Sequence, residues 1–158
     1  MDRTNTIGLD KKKTEELAKG LNDLLANYSV FYQNTRGYHW NIKGEQFFVL
    51  HEKFEELYND LKLKIDEIAE RILTLGHTPE HNYSEYSKVS QIKESPKVVD
   101  GNKCVEGILA GFKIIISMQR ALLNLADEID DEGTNALMSD YITEQEKLVW
   151  MYAAHQNK

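Results

Sequence analysis

Little in this chain would cross-link it, break its helices or tie it to a polyanion. Its 158 residues include one cysteine, Cys104, and two prolines. A single thiol excludes an intramolecular disulfide and a thiolate-rich metal site, so any metal ligands must be nitrogen and oxygen. Two prolines and nine glycines leave long stretches free of helix breakers, which favours an all-α fold over a sandwich or an α/β design. The net charge is -7, which disfavours a general nucleic-acid-binding surface and suits cations instead. The N-terminus has no apolar core of signal-peptide length, and no run approaches the roughly 18 apolar residues of a membrane span. The cytoplasm is the expected location, with no membrane partner. With 41% hydrophobic content the chain suffices for one compact domain and is too short for two.

What is present is helical periodicity. Leu17, Leu21, Leu24, Tyr28, Phe31, Thr35 and Tyr38 recur at alternating steps of four and three, with Asp10 placed to cap the helix they define. A second, long stripe runs through Phe47, Leu50, Phe54, Leu57, Leu61, Ile65, Ile68, Ile72 and Leu75 and stops at Gly76. Residues 77–100 hold both prolines and lose the pattern, apart from a short helical turn over Tyr83 to Val89. Periodicity returns with Val105, Ile108, Phe112, Ile115, Gln119, Leu122, Ala126 and Ile129. It returns again, after the turn Asp130-Asp131-Glu132-Gly133, with Leu137, Tyr141, Leu148 and Met151. Short links make two antiparallel hairpins, and a link of about 25 residues can carry the chain the length of a bundle. The expected architecture is an all-α, ferritin-like four-helix bundle over residues 10–158, its long crossover holding a short helix between helices two and three. Residues 1–9 are expected to be a short flexible tail.

On the second helix His51 and Glu55 are four apart, as are Asp66 and Glu70, so each pair projects from neighbouring turns of one face. The four fall within an arc of roughly 100°, flanking the buried stripe. Single acids of this kind usually do no more than solvate a helix, and single histidines usually pack. Here, however, the hairpin brings His39, at the end of the first helix, to the start of the second. Imidazole with carboxylate and no thiolate suits Fe, Mn or Zn, and redox chemistry points to iron. His51 and Asp66 are fifteen residues apart on one helix, about 22 Å, which no small metal site can bridge. A twofold axis crossing the helix solves this by placing His51 of one protomer opposite Asp66 and Glu70 of the other.

The stretch from Tyr38 to Gly76, with its HWN, KGEQFF, HEKFEEL and DEIAER segments, closely resembles the signature of the DNA-binding proteins from starved cells, the Dps family of mini-ferritins. The KLVWMY ending extends the resemblance over nearly the whole chain. It implies a dodecameric shell of four-helix protomers, built from twofold dimers, that oxidises Fe(II), preferably with hydrogen peroxide, and stores Fe(III) inside, protecting DNA. The implied intersubunit ferroxidase ligands are His39, His51, Glu55, Asp66 and Glu70, with iron as the metal and zinc as a substitute. Some family members have aspartate where Glu55 stands. Trp40 is implied as an interceptor of radical intermediates; an interface aromatic is the alternative.

The resemblance also points to Asp127, Asp131 and Glu132 as acids of an iron-entry pore, against a reading of them as helix-capping acids. Direct DNA binding is not assumed, since only Arg3 precedes the Lys11-Lys12-Lys13 cluster, although many copies would make a salt-sensitive polybasic array. The competing function is a non-enzymatic, DNA-compacting architectural protein with a structural metal site.

Overall fold

A computed structural model describes residues 2–158. Five helices account for the ordered elements: α1 (Lys11–Asn41), α2 (Phe47–Thr74), α3 (Tyr83–Val89), α4 (Gly101–Glu128) and α5 (Glu132–His155). The four long helices form the bundle, α1 packing along α2 and α4, and α4 along α5, while α3 lies on α1. Among the described residues there is no strand, only two isolated bridges.

Helix ends fall where the local chemistry puts them. The Asp10 side chain accepts from the backbone N–H of Lys12 and Lys13, satisfying two of the donors that a helix start leaves unpaired. At the other end of the hairpin, Gly76 takes φ +88° while the N–H of His77 donates to the Ile72 carbonyl, a left-handed close to α2. The apolar stripes read from α1, α2 and α4 are buried along almost their whole length; Phe47, Ile65 and Ile129 are half-buried at the edges.

Two expectations need correction, and a third region can be described more closely. In α5 the buried face is Thr134, Met138, Tyr141, Gln145 and Tyr152, whereas Leu137 and Leu148 are half-buried and Met151 is exposed. Two of the true core positions are polar, so an apolar pattern alone drifts by one residue. Residues 2–9, expected as a flexible tail, carry hydrogen bonds among themselves and to the bundle. Asn5 Oδ1 accepts from the N–H of Ile7 and Leu9, its Nδ2 donates to the Leu75 carbonyl, and the N–H of Lys11 donates to the Arg3 carbonyl. Finally, α4 is long and apolar enough to cross a membrane by length and composition. Its Val105, Ile108, Phe112 and Ile115 are nonetheless fully buried in the bundle.

The crossover is strapped to α1 by three asparagines. Asn22 accepts from the N–H of Glu80 and donates to the Thr78 carbonyl; Asn34 accepts from the N–H of Ser95 and donates to the Lys93 carbonyl. Between them, Asn27 Oδ1 accepts from the N–H of Gln91 and Ile92 and from the Ser90 hydroxyl. A segment with no apolar periodicity of its own thus satisfies its backbone on the neighbouring helix.

Three polar side chains meet inside the bundle. Tyr28 donates to Gln119 Oε1 at 2.5 Å, Gln119 Nε2 donates to Gln145 Oε1 at 2.7 Å, and Gln145 Nε2 donates back to the Tyr28 oxygen at 2.6 Å. All three residues are fully buried. Burial pushes the Tyr28 phenol far above its ordinary range, which keeps it a donor. Helices α1, α4 and α5 are therefore joined by a closed ring of hydrogen bonds.

Candidate metal centre

The α1–α2 hairpin places His39, in the last turn of α1, against His51, in the first turns of α2. Their imidazole rings stack at 3.8 Å between centroids with 11° between planes. His39 Nδ1 lies 2.6 Å from the His51 carbonyl oxygen, and His51 Nδ1 lies 2.7 Å from the His39 carbonyl oxygen. A carbonyl can only accept, so each Nδ1 carries the hydrogen and donates it. In the neutral ring the lone pair is then on Nε2, the atom a metal takes, and neither Nε2 has a hydrogen-bond partner among the described residues. This reciprocal pair fixes both the tautomer and the ring plane.

The rings are held from the outside as well. Phe47 stacks on His51 at 4.8 Å and 18°, and the edge of Tyr58 meets His39 at 5.3 Å and 72°. The Arg36 guanidinium lies 4.7 Å from the Trp40 ring centre, 5.2 Å from that of Tyr32 and 6.0 Å from that of Tyr58. His39 is 7% exposed, whereas Trp40 is 55% exposed. Tyr58 and Arg36 were not singled out in the sequence, and Phe47 only as a member of the apolar stripe. Tyr58 lies seven residues after His51, two turns along the same side of α2, and that spacing could have revealed it.

The carboxylates lie along one side of α2, Glu55 one turn after His51 and Asp66 and Glu70 farther along the helix. Glu55, Asp66 and Glu70 are all exposed on α2. Among the described residues no three His, Cys, Asp or Glu side chains converge on one point. The protomer thus brings two of the five expected ligands together and leaves Asp66 and Glu70 four to five turns away along the same helix. The remaining candidate ligand chemistry is absent: Cys104 is buried in the core, and burial pushes its thiol up to about 11, far from a thiolate.

Of the three pore candidates, Asp127 and Glu132 are exposed, but Asp131 is 2% exposed and engaged. Its carboxylate pairs with Arg71 at 2.6 Å and accepts from the Thr134 N–H and hydroxyl, capping α5. Arg71 Nε also donates to the Thr134 hydroxyl, so this cluster locks the end of α2 to the α4–α5 turn. A Cβ on Gly133 would sit within 2.6 Å of the guanidinium. Asp131 thus fills the helix-capping role given above as the alternative to a pore acid.

The ferritin-like domain family matches residues 18–158. A crystal structure of the Dps protein from Vibrio cholerae O1, described as a member of a broad superfamily of ferritin-like diiron-carboxylate proteins, has a TM-score of 0.97 and 59% identity, covering 99% of this chain and 98% of that one. The chain belongs to the Dps family of mini-ferritins. A DNA protection during starvation protein from Porphyromonas gingivalis is 46% identical over 96% of this chain and 95% of its own length. The Dps of Listeria innocua, solved after soaking with zinc, has a TM-score of 0.87 at 27% identity, covering 90% of this chain and 97% of that one. The two-hairpin bundle with a long crossover is thus the Dps fold. The ring of Tyr28, Gln119 and Gln145 occupies its interior, and the ligand-type side chains lie on its outer α1–α2 face.

Proposed function

We propose that the protein oxidises Fe(II) at a centre shared between two protomers and stores the Fe(III) product inside a closed shell of twelve copies, in the cytoplasm. The observation that carries this reading is the His39–His51 pair. Its two Nδ1–H groups are bound to carbonyls, both Nε2 atoms are available, and among the described residues no cluster of three ligand-type side chains forms within the protomer. Glu55 on the same helix face, with Asp66 and Glu70 supplied by the partner, completes a set of two imidazoles and three carboxylates. That set suits iron, and it would accept zinc as a redox-silent substitute.

Hydrogen peroxide is the preferred oxidant in this reading. Two ferrous ions each give up one electron, the O–O bond breaks, and with two protons the peroxide leaves as two waters. Pairwise oxidation avoids hydroxyl radical, which is how such a protein would protect DNA. Trp40, next in sequence to His39, exposed and with the Arg36 guanidinium over its ring, is proposed to supply an electron when only one ferrous ion is bound. Exposed Asp127 and Glu132 are the acids proposed to draw iron toward the interior. The exposed Lys11-Lys12-Lys13 cluster favours a second reading, architectural compaction of DNA, for which a gel shift that persists at moderate salt is the expected sign.

Stopped-flow recording of iron oxidation with peroxide and with oxygen tests the proposal, together with spin trapping of hydroxyl radical. The expected result is faster oxidation with peroxide and a suppressed radical yield. An undiminished radical signal, or no acceleration over iron in buffer, would overturn it.

A further inference from the structure

The face of α2 that bears the ligands is self-complementary in register, and its two ends are apolar. Taking His51 as the origin and 100° per residue, Glu55, Asp66 and Glu70 lie at roughly 40°, 60° and 100°. Two further large side chains share this arc, Phe48 at roughly 60° and Leu73 at roughly 40°. They are 83% and 58% exposed. The other exposed apolar residues of α2, Val49 and Leu63, lie outside it at roughly 160° and 120°.

An antiparallel copy of α2 centred between Asp60 and Leu61 sets His51 opposite Glu70 and Glu55 opposite Asp66. The same centre sets Asn59 opposite Lys62 and Phe48 opposite Leu73. At these four pairs one operation therefore matches nitrogen and carboxylate ligands, polar with polar and apolar with apolar, while it sets Glu52 opposite Ala69. We propose that Phe48 and Leu73 of opposite protomers form an apolar clasp at each end of this seam, closing the shared centre from bulk water on its outer side. The occupant of this face is a second copy of the chain.

The size of the end residues fits the geometry. Helices that cross near 20° diverge by about 7 Å at points about 19 Å from the crossing, so only long side chains keep contact there. Phe47, packed edge-on against Phe48 at 5.3 Å and stacked on His51, links the clasp directly to the ligand ring.

This clasp rests on the shared centre proposed above, and its test does not depend on iron oxidation. Phe48→Cys protomers and Leu73→Cys protomers are unfolded, mixed, reassembled and treated with a short bis-maleimide, with the wild type, holding buried Cys104 alone, as the blank. Covalent dimers between the two variants are expected in the mixture. Neither variant alone should give them, because like residues lie about 37 Å apart across the axis. No mixed dimer in an assembly confirmed by light scattering, or equal cross-linking of either variant alone, overturns the register.

The closing role is read separately, from removal of bound zinc by a chelator. Phe48→Ala and Leu73→Ala should each release zinc severalfold faster than the wild type. An unchanged release rate in intact assemblies overturns the clasp while leaving the shared centre standing. Absence of zinc binding by the wild type would instead sink the metal-site reading on which it rests.

Discussion

The Tyr28, Gln119 and Gln145 ring and the His39–His51 pair are both polar clusters packed among aromatic and aliphatic side chains, and they are completed in opposite ways. In the ring every hydrogen bond ends on another member, so burial is compensated and nothing is left to offer a ligand. In the pair the hydrogen bonds go outward to backbone carbonyls on one side of each imidazole, leaving the other nitrogen without a partner. The first arrangement stabilises the bundle. The second holds two donors ready for something the protomer does not contain.

The strongest way to break this comparison is to mutate the outer cluster and watch activity. Protein made only of His51→Ala protomers lacks a histidine at every site, and protein made only of Asp66→Ala protomers lacks an acid at every site. Both should lose fast iron oxidation while still assembling, and Asp66→Ala, at an exposed position, should keep the thermal stability of the wild type. When the two are co-assembled at random in equal amounts, about half of the twofold dimers are mixed, and each mixed dimer regains one intact site of two. About a quarter of all sites should therefore recover. A mixture no faster than the average of its parents, with mixed assembly verified by mass spectrometry, would show that each protomer builds its own centre.

The converse experiment breaks the inner cluster. Gln145→Leu removes the acceptor of Gln119 Nε2 and the donor to Tyr28 in a site with no access to water. The expected loss is about 2–4 kcal/mol, from two buried groups left with incomplete hydrogen bonding. The thermal unfolding midpoint should fall by several degrees, and the rate of iron oxidation per folded assembly should not change. Slower oxidation at full stability would mean that the ring takes part in the chemistry.

The contrast between these regions also explains what the sequence could and could not disclose. The apolar stripes of α1, α2 and α4 are regular enough to be read directly, as are the Asp10 cap and the Gly76 stop, because each rests on spacing within one helix. Gln119 was legible only as a member of such a stripe, and Gln145 was missed, since a polar residue acquires a core position through partners on other helices. The same holds for Asn22, Asn27 and Asn34, whose bonds reach about 60 positions along the chain. Asp131 was legible as a helix-capping acid, whereas its pairing with Arg71, 60 residues away, which draws the carboxylate inward, has no sign in local spacing. Of the candidate site, the pairing of His39 with His51 follows from the hairpin, whereas the hydrogen bonds that set their tautomers involve backbone carbonyls and have no signature in residue type.

A finer test asks how firmly the outer pair is held. Tyr58 touches His39 through the edge of its ring, and its hydroxyl has no hydrogen-bond partner among the described residues. An edge-to-face aromatic contact is worth about 0.5–1.5 kcal/mol, so removing it should weaken metal binding by no more than about tenfold. Tyr58→Leu should therefore bind zinc somewhat less tightly, and Tyr58→Phe, which keeps the edge, should bind as the wild type does. Titration calorimetry on assembled protein can resolve that difference. If Tyr58→Phe were weakened as much as Tyr58→Leu, the hydroxyl rather than the ring edge would be the group in use. The histidine pair would then depend on a polar partner supplied from outside the protomer, and the two clusters would differ less than their geometry within one chain implies.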